Sequence, residues 1–325
     1  MYKTLLEQIG NTPLVKIDLG LKTTLLAKLE YMNPGGSIKD RAALYMVEDA
    51  ENKGLLKPGG TIVEATSGNQ GIALAMIGVL KGYKVVITVP KHTSHEKVDA
   101  LRAYGAEVHV CPDTDTLEDP SSYHSVAERL HESIDGAFMP NQYFSIVNVE
   151  AHYHSTGPEI WRQTNGTITH FFAGMGSCGT ISGVGRYLKE QNPNIKVVGI
   201  DSAHSLLSAE KPKAYEVEGI GVDVISDTFN KEVVDHIIPI HDAEAFKMTR
   251  QLASKGMLVG VSSGAVMHGI FSYMPNIKST DIVVAILADS GRAYLGKVFS
   301  QHALFQENAE VASQQKQEEV FAVRH

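Results

Sequence analysis

The 325-residue sequence has only two cysteines, Cys111 and Cys178, and they show neither metal-binding nor disulfide spacing. No apolar run approaches the roughly 20 residues that a membrane span needs, and residues 1–8 lack the apolar region of a secretory signal. The net charge of −8 disfavours nucleic acid and anionic membranes as partners. These absences predict a protein of a reducing compartment with no metal site, and we expect it in the cytoplasm.

What the sequence does contain is a regular alternation of short β-rich runs and helical patterns, in a first series at residues 24–134 and a second at 155–287. Such alternation predicts parallel sheets with helices on both faces. Because the length exceeds that of one ordinary domain, the two series predict two α/β domains with a cleft between them. Within the second series we predict a helix at 155–163 and a short strand at 257–261.

Residues 33–41, Asn-Pro-Gly-Gly-Ser-Ile-Lys-Asp-Arg, combine a turn with a helix start. Gly35 and Gly36 suit a tight turn, and Ser37 is a good N-cap for the helix that follows. Lys39 then lies in the first helical turn, where the positive end of the helix dipole disfavours its protonated form. A lysine with a lowered pKa is a nucleophile that can form a Schiff base with a carbonyl compound. The alternative is an ordinary solvent-exposed helix lysine.

Three strand-to-helix junctions are candidate sites, because ligands in open α/β sheets lie beyond the carboxyl ends of strands. Residues 66–71, Thr-Ser-Gly-Asn-Gln-Gly, offer hydroxyls and backbone amides to a carboxylate-sized anion. Residues 174–180, Gly-Met-Gly-Ser-Cys-Gly-Thr, would let backbone amides approach a phosphate, although their spacing matches neither a P-loop nor a dinucleotide fingerprint. Residues 260–264 place two serines at the head of a helix. Each junction alone could be no more than a well-capped helix start.

Together, an amine nucleophile, a carboxylate site, a phosphate loop and a pair of hydroxyls suit pyridoxal phosphate, an aldehyde that condenses with lysine. The same four ordered motifs resemble the cysteine synthase and cystathionine β-synthase family, from about Leu5 to about Gln301. That resemblance implies the fold shared with tryptophan synthase β, pyridoxal-phosphate fold type II: two three-layer α/β domains with mostly parallel sheets and a cofactor cleft between them. It implies a larger domain of residues 1–35 and 146–305, a smaller mobile domain of residues 36–145, and a polar tail at 306–325.

The resemblance also implies a role for each matching residue. Lys39 would carry the cofactor as a Schiff base, then remove and return the proton of the substrate α-carbon. Asn69 would hydrogen-bond the cofactor's ring oxygen, and Ser262 would face its pyridine nitrogen. The phosphate would be held by Gly176, Ser177, Cys178, Gly179 and Thr180. The substrate would be bound by Thr66, Ser67, Gly68, Gln142, Tyr143, Glu218, Gly219 and Gly221.

A serine at the ring nitrogen suits β-replacement through an α-aminoacrylate, because it leaves the ring a weaker electron sink than an aspartate would. The chain departs from the family's common Gly-Thr-Gly-Gly-Thr phosphate loop at Ser177 and Cys178. The Cys178 side chain must therefore point away from the phosphate. The chain also differs from the family's usual residues at Gln70, Ala288 and Ala293. These differences remove no catalytic group, but because of them the substrates of known relatives do not transfer directly to this chain.

Within the family, Glu218 before Gly-Ile-Gly and Tyr143 after Asn-Gln resemble the cystathionine β-synthase branch. The prediction is therefore that serine and homocysteine form cystathionine. A free Glu218 carboxylate at the cleft mouth would repel hydrosulfide and attract the ammonium group of homocysteine. The alternatives are a cysteine synthase that uses O-acetylserine and sulfide, an amine-accepting β-replacement enzyme, or a pyridoxal-phosphate-binding partner or sensor without turnover. The family further implies a homodimer that acts on small amino acids.

Overall fold

The computed structural model describes residues 3–66, 68–114, 116, 118–222 and 224–300. Two sequence predictions, a substrate role for Ser67 and a polar tail at 306–325, lie outside these residues. In the described part of the chain, no helix is long and apolar enough to cross a bilayer.

Nine strands lie within the described ranges, and most agree with the predicted β-rich runs. In chain order they are β1 (Leu14–Lys16), β2 (Thr24–Leu29), β3 (Thr61–Ala65), β4 (Lys84–Pro90), β5 (Glu107–Cys111), β6 (His170–Gly174), β7 (Lys196–Ser202), β8 (His236–Ile240) and β9 (Ile282–Leu287). They form a six-stranded sheet of order β1-β2-β9-β6-β7-β8 and a three-stranded sheet of order β3-β4-β5. All neighbouring strands are parallel except β1 and β2.

Nine α-helices connect these strands over the same described residues. They are α1 (Lys39–Asn52), α2 (Asn69–Lys81), α3 (His95–Ala103), α4 (Tyr123–Ser133), α5 (Ile146–Ala151), α6 (Gly157–Gln163), α7 (Gly179–Gln191), α8 (Asp242–Ser254) and α9 (Val261–Tyr273). A π-helical turn, His152–Thr156, joins α5 to α6. Short 3₁₀ helices lie at Leu5–Gln8, Glu30–Met32, Lys231–Val233, Met274–Asn276 and Gly291–Tyr294.

Both sheets are covered on two faces, because successive strand residues point to opposite sides. In β6, Phe171 packs with residues of α7 on one face, while Phe172 packs with residues of α8 and α9 on the other. In the small sheet, one face of β3 packs against α1 and α2, and Val63 on the other face packs against α4. The predicted class, α/β with helices on both sides of mostly parallel sheets, is confirmed.

Two predictions of local structure are wrong. Residues 257–261 form no strand: Val259 makes only an isolated bridge to Ser290, and α9 already begins at Val261. The helix predicted at 155–163 begins earlier, as α5, and continues through the π-helical turn. The first difference matters for the site, because it places Ser262 in the first turn of a helix.

Candidate active site

Lys39 is the first residue of α1, and Ser37 Oγ accepts a hydrogen bond from its backbone N–H at 3.2 Å. Its side-chain Nζ donates to Ser177 Oγ at 3.1 Å. Burial lowers the pKa of Lys39 to about 8, against the opposing effects of the Cys178 thiol and the Glu64 carboxylate. The low pKa expected from the helix dipole therefore has burial as its main cause. A lysine of this kind is a usable nucleophile near neutral pH.

The glycine-rich loop at residues 174–179 joins β6 to α7 and leaves room for little besides backbone. A Cβ at Gly176 would lie 2.9 Å from the Gly219 carbonyl oxygen, and one at Gly179 would lie 2.2 Å from Asn148 Oδ1. The loop leads into the N-terminus of a 13-residue helix, where backbone N–H groups attract anions. These features suit a bound phosphate group.

Cys178 lies in this loop with a left-handed backbone, at φ +60°. Glycine adopts a left-handed backbone without strain, which explains why the common Gly-Thr-Gly-Gly-Thr loop has glycine at this position. The side chain is buried in an apolar cluster that includes residues of α7 and of the six-stranded sheet. Burial raises the pKa of the Cys178 thiol to about 12, so the thiol is not a nucleophile.

Asn148 and Glu64, which sequence reasoning missed, tie the Gln142 segment to the surroundings of Lys39. Asn148 Nδ2 donates to Ser177 Oγ at 3.1 Å and to the Gln142 carbonyl at 2.9 Å. Glu64, near the end of β3, accepts the backbone N–H groups of Asn141 at 2.9 Å and of Gln142 at 3.2 Å. Burial raises the pKa of Glu64 to about 7. The carboxyl group is therefore close to half-protonated at neutral pH.

The loop before α2 faces the same cleft from the small sheet. Thr66 Oγ1 accepts the Gly68 N–H at 3.2 Å. Asn69 Nδ2 donates to Asp289 Oδ2 at 2.7 Å, and the Tyr294 hydroxyl donates to the same oxygen at 2.6 Å. Asp289, just after β9, thus holds the amide predicted to contact the cofactor ring.

Glu218 is not the free carboxylate that its sequence position suggested. Lys97 donates to its Oε2, and Lys297 donates to its Oε1 at 3.2 Å. Burial by itself raises the pKa of Glu218, but the two lysines lower it overall. Lys97 also lies 4.6 Å from the centre of the Tyr294 ring. Because Lys97 belongs to α3 and its partners follow β7 and β9, this cluster bridges the cleft between the two sheets.

The remaining predicted residues line the six-stranded side. The Ser262 side chain is buried and makes no hydrogen bond to any described residue. A Cβ at Gly219 would lie 3.4 Å from Ser262 Oγ. The backbone N–H of Gly221 donates to the Met175 carbonyl at 2.8 Å. The Thr228 hydroxyl donates to the Ser177 carbonyl, and the Tyr143 carbonyl lies 3.4 Å from the same hydroxyl oxygen.

The residues present fit pyridoxal phosphate. The glycine-rich loop at residues 174–179 exposes backbone N–H groups that can bind a phosphate, and the Lys39 amine lies 3.1 Å from Ser177 Oγ in that loop. The Ser262 hydroxyl is unpaired among the described residues. The structure thus brings together the Lys39 amine, the glycine-rich loop, Asn69, Gln142 and Ser262. Sequence reasoning missed Glu64, Lys97, Asn148, His152 and Asp289. Only Glu64 had a local signal, as a charged residue within an apolar strand.

Comparisons with known proteins agree with this geometry. Residues 5–289 match the model of the family described as pyridoxal-phosphate dependent enzyme. The chain is 42% identical over 309 residues to the cystathionine beta-synthase of Apis mellifera, an alignment that covers 92% of this chain and 61% of that protein. It thus spans about three fifths of the length of that curated relative.

Two solved structures are similar over nearly their whole length. The O-acetylserine dependent cystathionine beta-synthase from Helicobacter pylori has a TM-score of 0.85 at 37% identity, covering 91% of this chain and 98% of that one. An O-ureido-L-serine synthase has a TM-score of 0.86 at 32% identity, covering 94% of this chain and 99% of that one.

Proposed function

The chain belongs to the pyridoxal-phosphate dependent enzyme family, and from that premise we propose that it joins L-serine and L-homocysteine to cystathionine by β-replacement. The observation that carries the proposal is the Lys39 amine, with its lowered pKa, held against the glycine-rich loop. The identity with a cystathionine beta-synthase over 92% of the chain supports the choice of product.

Pyridoxal phosphate, when bound, withdraws electrons from the substrate α-carbon and so lets the β-substituent leave. Lys39 would hold the cofactor through its aldehyde group, and its free Nζ would remove the proton from the substrate α-carbon. The resulting ammonium can protonate the departing hydroxyl oxygen of serine. A pKa of about 8 suits both transfers, since Nζ must accept and release a proton near neutral pH.

The other predicted site residues bind and orient. Thr66, Gly68 and Gln142 receive the substrate carboxylate, a role we also assign to Ser67. Asn69, fixed by Asp289, orients the cofactor ring. Ser262 offers a neutral hydroxyl to the ring nitrogen, while Gly176, Ser177, Gly179 and Thr180 hold the phosphate.

The choice of acceptor does not follow from the charge of Glu218 alone. With Lys97 and Lys297 bound to it, the cluster carries two positive charges and one negative charge. A cleft entrance with this net positive charge does not repel the hydrosulfide anion. We therefore assign Glu218 to closing the cleft over the substrate, together with Lys97.

A second candidate uses O-acetyl-L-serine as the donor. The specific support is the similarity to a cystathionine beta-synthase that is named as O-acetylserine dependent, of which this chain covers 98%. Acetate leaves more readily than hydroxide, so this donor asks less of the Lys39 ammonium. Cysteine synthesis from O-acetylserine and sulfide uses the same residues.

The deciding experiment is a matrix of donors against acceptors. Serine and O-acetylserine would each be combined with homocysteine, sulfide and small amines, with products identified by mass spectrometry. The proposal expects cystathionine from serine and homocysteine at the highest kcat/KM. Turnover of O-acetylserine with sulfide alone would indicate a cysteine synthase. Absence of product from every pair would indicate a cofactor-binding protein without turnover.

We propose in addition that residues 36–145 form a smaller mobile domain, and that the protein acts as a cytoplasmic homodimer. Opening of that domain would break two contacts with the larger one: Ser94 Oγ donates to the Ala293 carbonyl at 3.2 Å, and Gly296 N donates to Glu96 Oε1 at 2.9 Å. The free, buried thiols of Cys111 and Cys178 fit a reducing compartment. Small-angle scattering with and without substrate, and sedimentation, would measure closure and subunit number.

A further inference from the structure

His152 joins two threonine hydroxyls through its ring. It lies in the π-helical turn and is 1% exposed. Its Nδ1 is 2.9 Å from Thr156 Oγ1, and its Nε2 is 3.2 Å from Thr180 Oγ1. Thr156 is fully buried, whereas Thr180 lies in the first turn of α7, beside the glycine-rich loop.

The ring is neutral at working pH. Burial lowers the pKa of His152 to about 3; Arg41 and Lys39 lower it further, while Glu30 and Glu159 oppose the shift. A neutral imidazole has one N–H donor and one acceptor nitrogen. One threonine must therefore donate to the ring, and the other must accept from it.

The two tautomers differ in what Thr180 can offer to an anion. If Nδ1 carries the proton, Thr180 must donate its own hydrogen to Nε2 and can present only lone pairs to a phosphate. If Nε2 carries the proton, it donates to Thr180 Oγ1, and the Thr180 hydrogen is free to be donated to a phosphate oxygen. Thr156 then donates to Nδ1.

We propose that His152 is a positioning residue whose Nε2–H form directs the Thr180 hydroxyl proton towards the cofactor phosphate. The inference rests on the proposed function, because it takes Thr180 as a phosphate contact. In this arrangement Thr156 donates to His152, His152 donates to Thr180, and Thr180 donates to the phosphate. Each hydrogen bond in such a chain polarises and strengthens the next. A hydrogen bond to a charged acceptor is roughly twice as strong as a neutral one, so the phosphate selects this tautomer.

The packing of α7 explains why the ring reaches Thr180. A Cβ at Gly183 would lie 2.3 Å from the Val149 carbonyl oxygen and 2.9 Å from His152 Cβ. Only a residue without a side chain lets the helix approach the α5 and π-helical segment so closely. Turns of π-helix are frequent at functional sites.

A matched pair of variants separates the two ring nitrogens. Asparagine places its amide nitrogen near the position of Nδ1, and glutamine places its amide nitrogen near that of Nε2. We expect His152→Asn to weaken the binding of pyridoxal phosphate to the cofactor-free protein by up to about 100-fold, because Thr180 keeps its hydroxyl but loses the N–H that orients it. Complete loss of a hydrogen bond to a charged group sets that upper limit. His152→Gln should weaken it less, because the donor to Thr180 remains.

Pyridoxal, which lacks the phosphate, is the matched ligand. Its affinity should not change in His152→Asn. Thr180→Val should lose at least as much affinity for pyridoxal phosphate as His152→Asn, because it removes the hydroxyl itself. The double variant should bind no more weakly than Thr180→Val alone, because His152 can act on the phosphate only through the Thr180 hydroxyl. Equal losses for both ligands, or additive losses in the double variant, would overturn the proposal. If the unchanged protein binds no pyridoxal phosphate, the proposed function fails as well.

Nitrogen-15 NMR of histidine-labelled holoprotein tests the tautomer without any substitution. The proton is expected on Nε2 of His152, and a proton on Nδ1 would contradict the inference. If His152→Asn fails to fold, as judged by thermal unfolding of the cofactor-free protein, Thr156→Val keeps the histidine in place. It should weaken pyridoxal phosphate binding but not pyridoxal binding; equal effects on both would count against the proposal.

Discussion

Lys39 and Arg41, two residues apart at the start of α1, have different electrostatic surroundings: Arg41 is paired with carboxylates, whereas Lys39 is poorly paired. On the far side from the cleft, Arg41 donates to Glu30 at 2.7 Å and to Glu159 at 2.7 Å, and Lys28 donates to Glu159 at 2.7 Å. Burial alone would raise the pKa of Glu159, but Arg41 and Lys28 lower it to about 2. These buried charges are fully paired, so their ionised forms are the stable ones.

On the cleft side the buried groups are poorly paired. Lys39 has a pKa lowered to about 8, and Glu64 has one raised to about 7. A third poorly paired group, Asp40, lies instead beside the Arg41 cluster, because Glu30 and Arg41 are the charged groups that act on its pKa. Asp40 is 0% exposed and accepts the Gly35 N–H at 2.6 Å with Oδ2, but its buried Oδ1 has no partner among the described residues. Paired charges make a rigid support, whereas groups close to neutrality can exchange protons. The chemistry belongs to the second set.

Replacing Lys39 should have the largest effect, and it should fall on activity alone. Lys39→Ala removes the group to which we assign transfer of the α-proton, so kcat should fall by about 10²–10⁴-fold or more. Stability should hold or rise, because a poorly paired buried amine is lost. Steady-state kinetics and thermal unfolding measure the two quantities. As a control, borohydride should fix the cofactor to the unchanged protein but not to the variant, and covalent label in Lys39→Ala would refute the assignment.

Replacing Arg41 should do the reverse. Arg41→Met leaves Glu30 buried without its cation and Glu159 with Lys28 alone, so the free energy of unfolding should fall by about 3–5 kcal/mol. Chemical denaturation measures it. The control is Lys53→Met, which removes an exposed partner of Asp49 and should cost about 0–1 kcal/mol. A loss in Arg41→Met as small as the control's would mean that the cluster does not support the fold.

The same contrast shows what the sequence could and could not predict. Local motifs identified Lys39, the loop at 174–179 and the α/β class, and the family and its pyridoxal phosphate cofactor are confirmed. The Arg41–Glu159 and Lys97–Glu218 pairs join residues 118 and 121 positions apart, so no local pattern reveals them. The π-helical turn was missed because its side chains follow an ordinary helical pattern. The strand at 257–261 was predicted from apolar residues that have different surroundings: Val259 is buried in the core, Leu258 is exposed and Val261 already belongs to α9.

Asp40 gives a pH-dependent prediction. Burial raises its pKa from 3.8 to about 7, so between those values the folded state binds more protons than the unfolded state. The contribution of Asp40 to stability should therefore decline as pH rises, by up to about 1.4 kcal/mol per pH unit. Asp40→Asn cannot titrate, so unfolding free energies measured from pH 5 to 8 should show the unchanged protein losing stability relative to the variant. Parallel curves would mean that Asp40 is ionised throughout.

The smallest expected effect tests whether the two sides of α1 are electrically separate. The Glu64 carboxylate raises the pKa of Lys39, whereas Glu159 is not among the groups that shift it. Glu64→Gln should therefore lower the pKa of Lys39, by less than about one unit because Glu64 is itself only partly ionised near pH 7. The rate at which an amine reagent labels Lys39 in the cofactor-free protein, followed by peptide mapping against pH, reports that pKa. Glu159→Gln is the matched control and should leave the profile in place while destabilising the fold. An equal shift in both variants would show that the Arg41 cluster also changes the pKa of Lys39. The cluster would then affect the chemistry of the site as well as the stability of the fold.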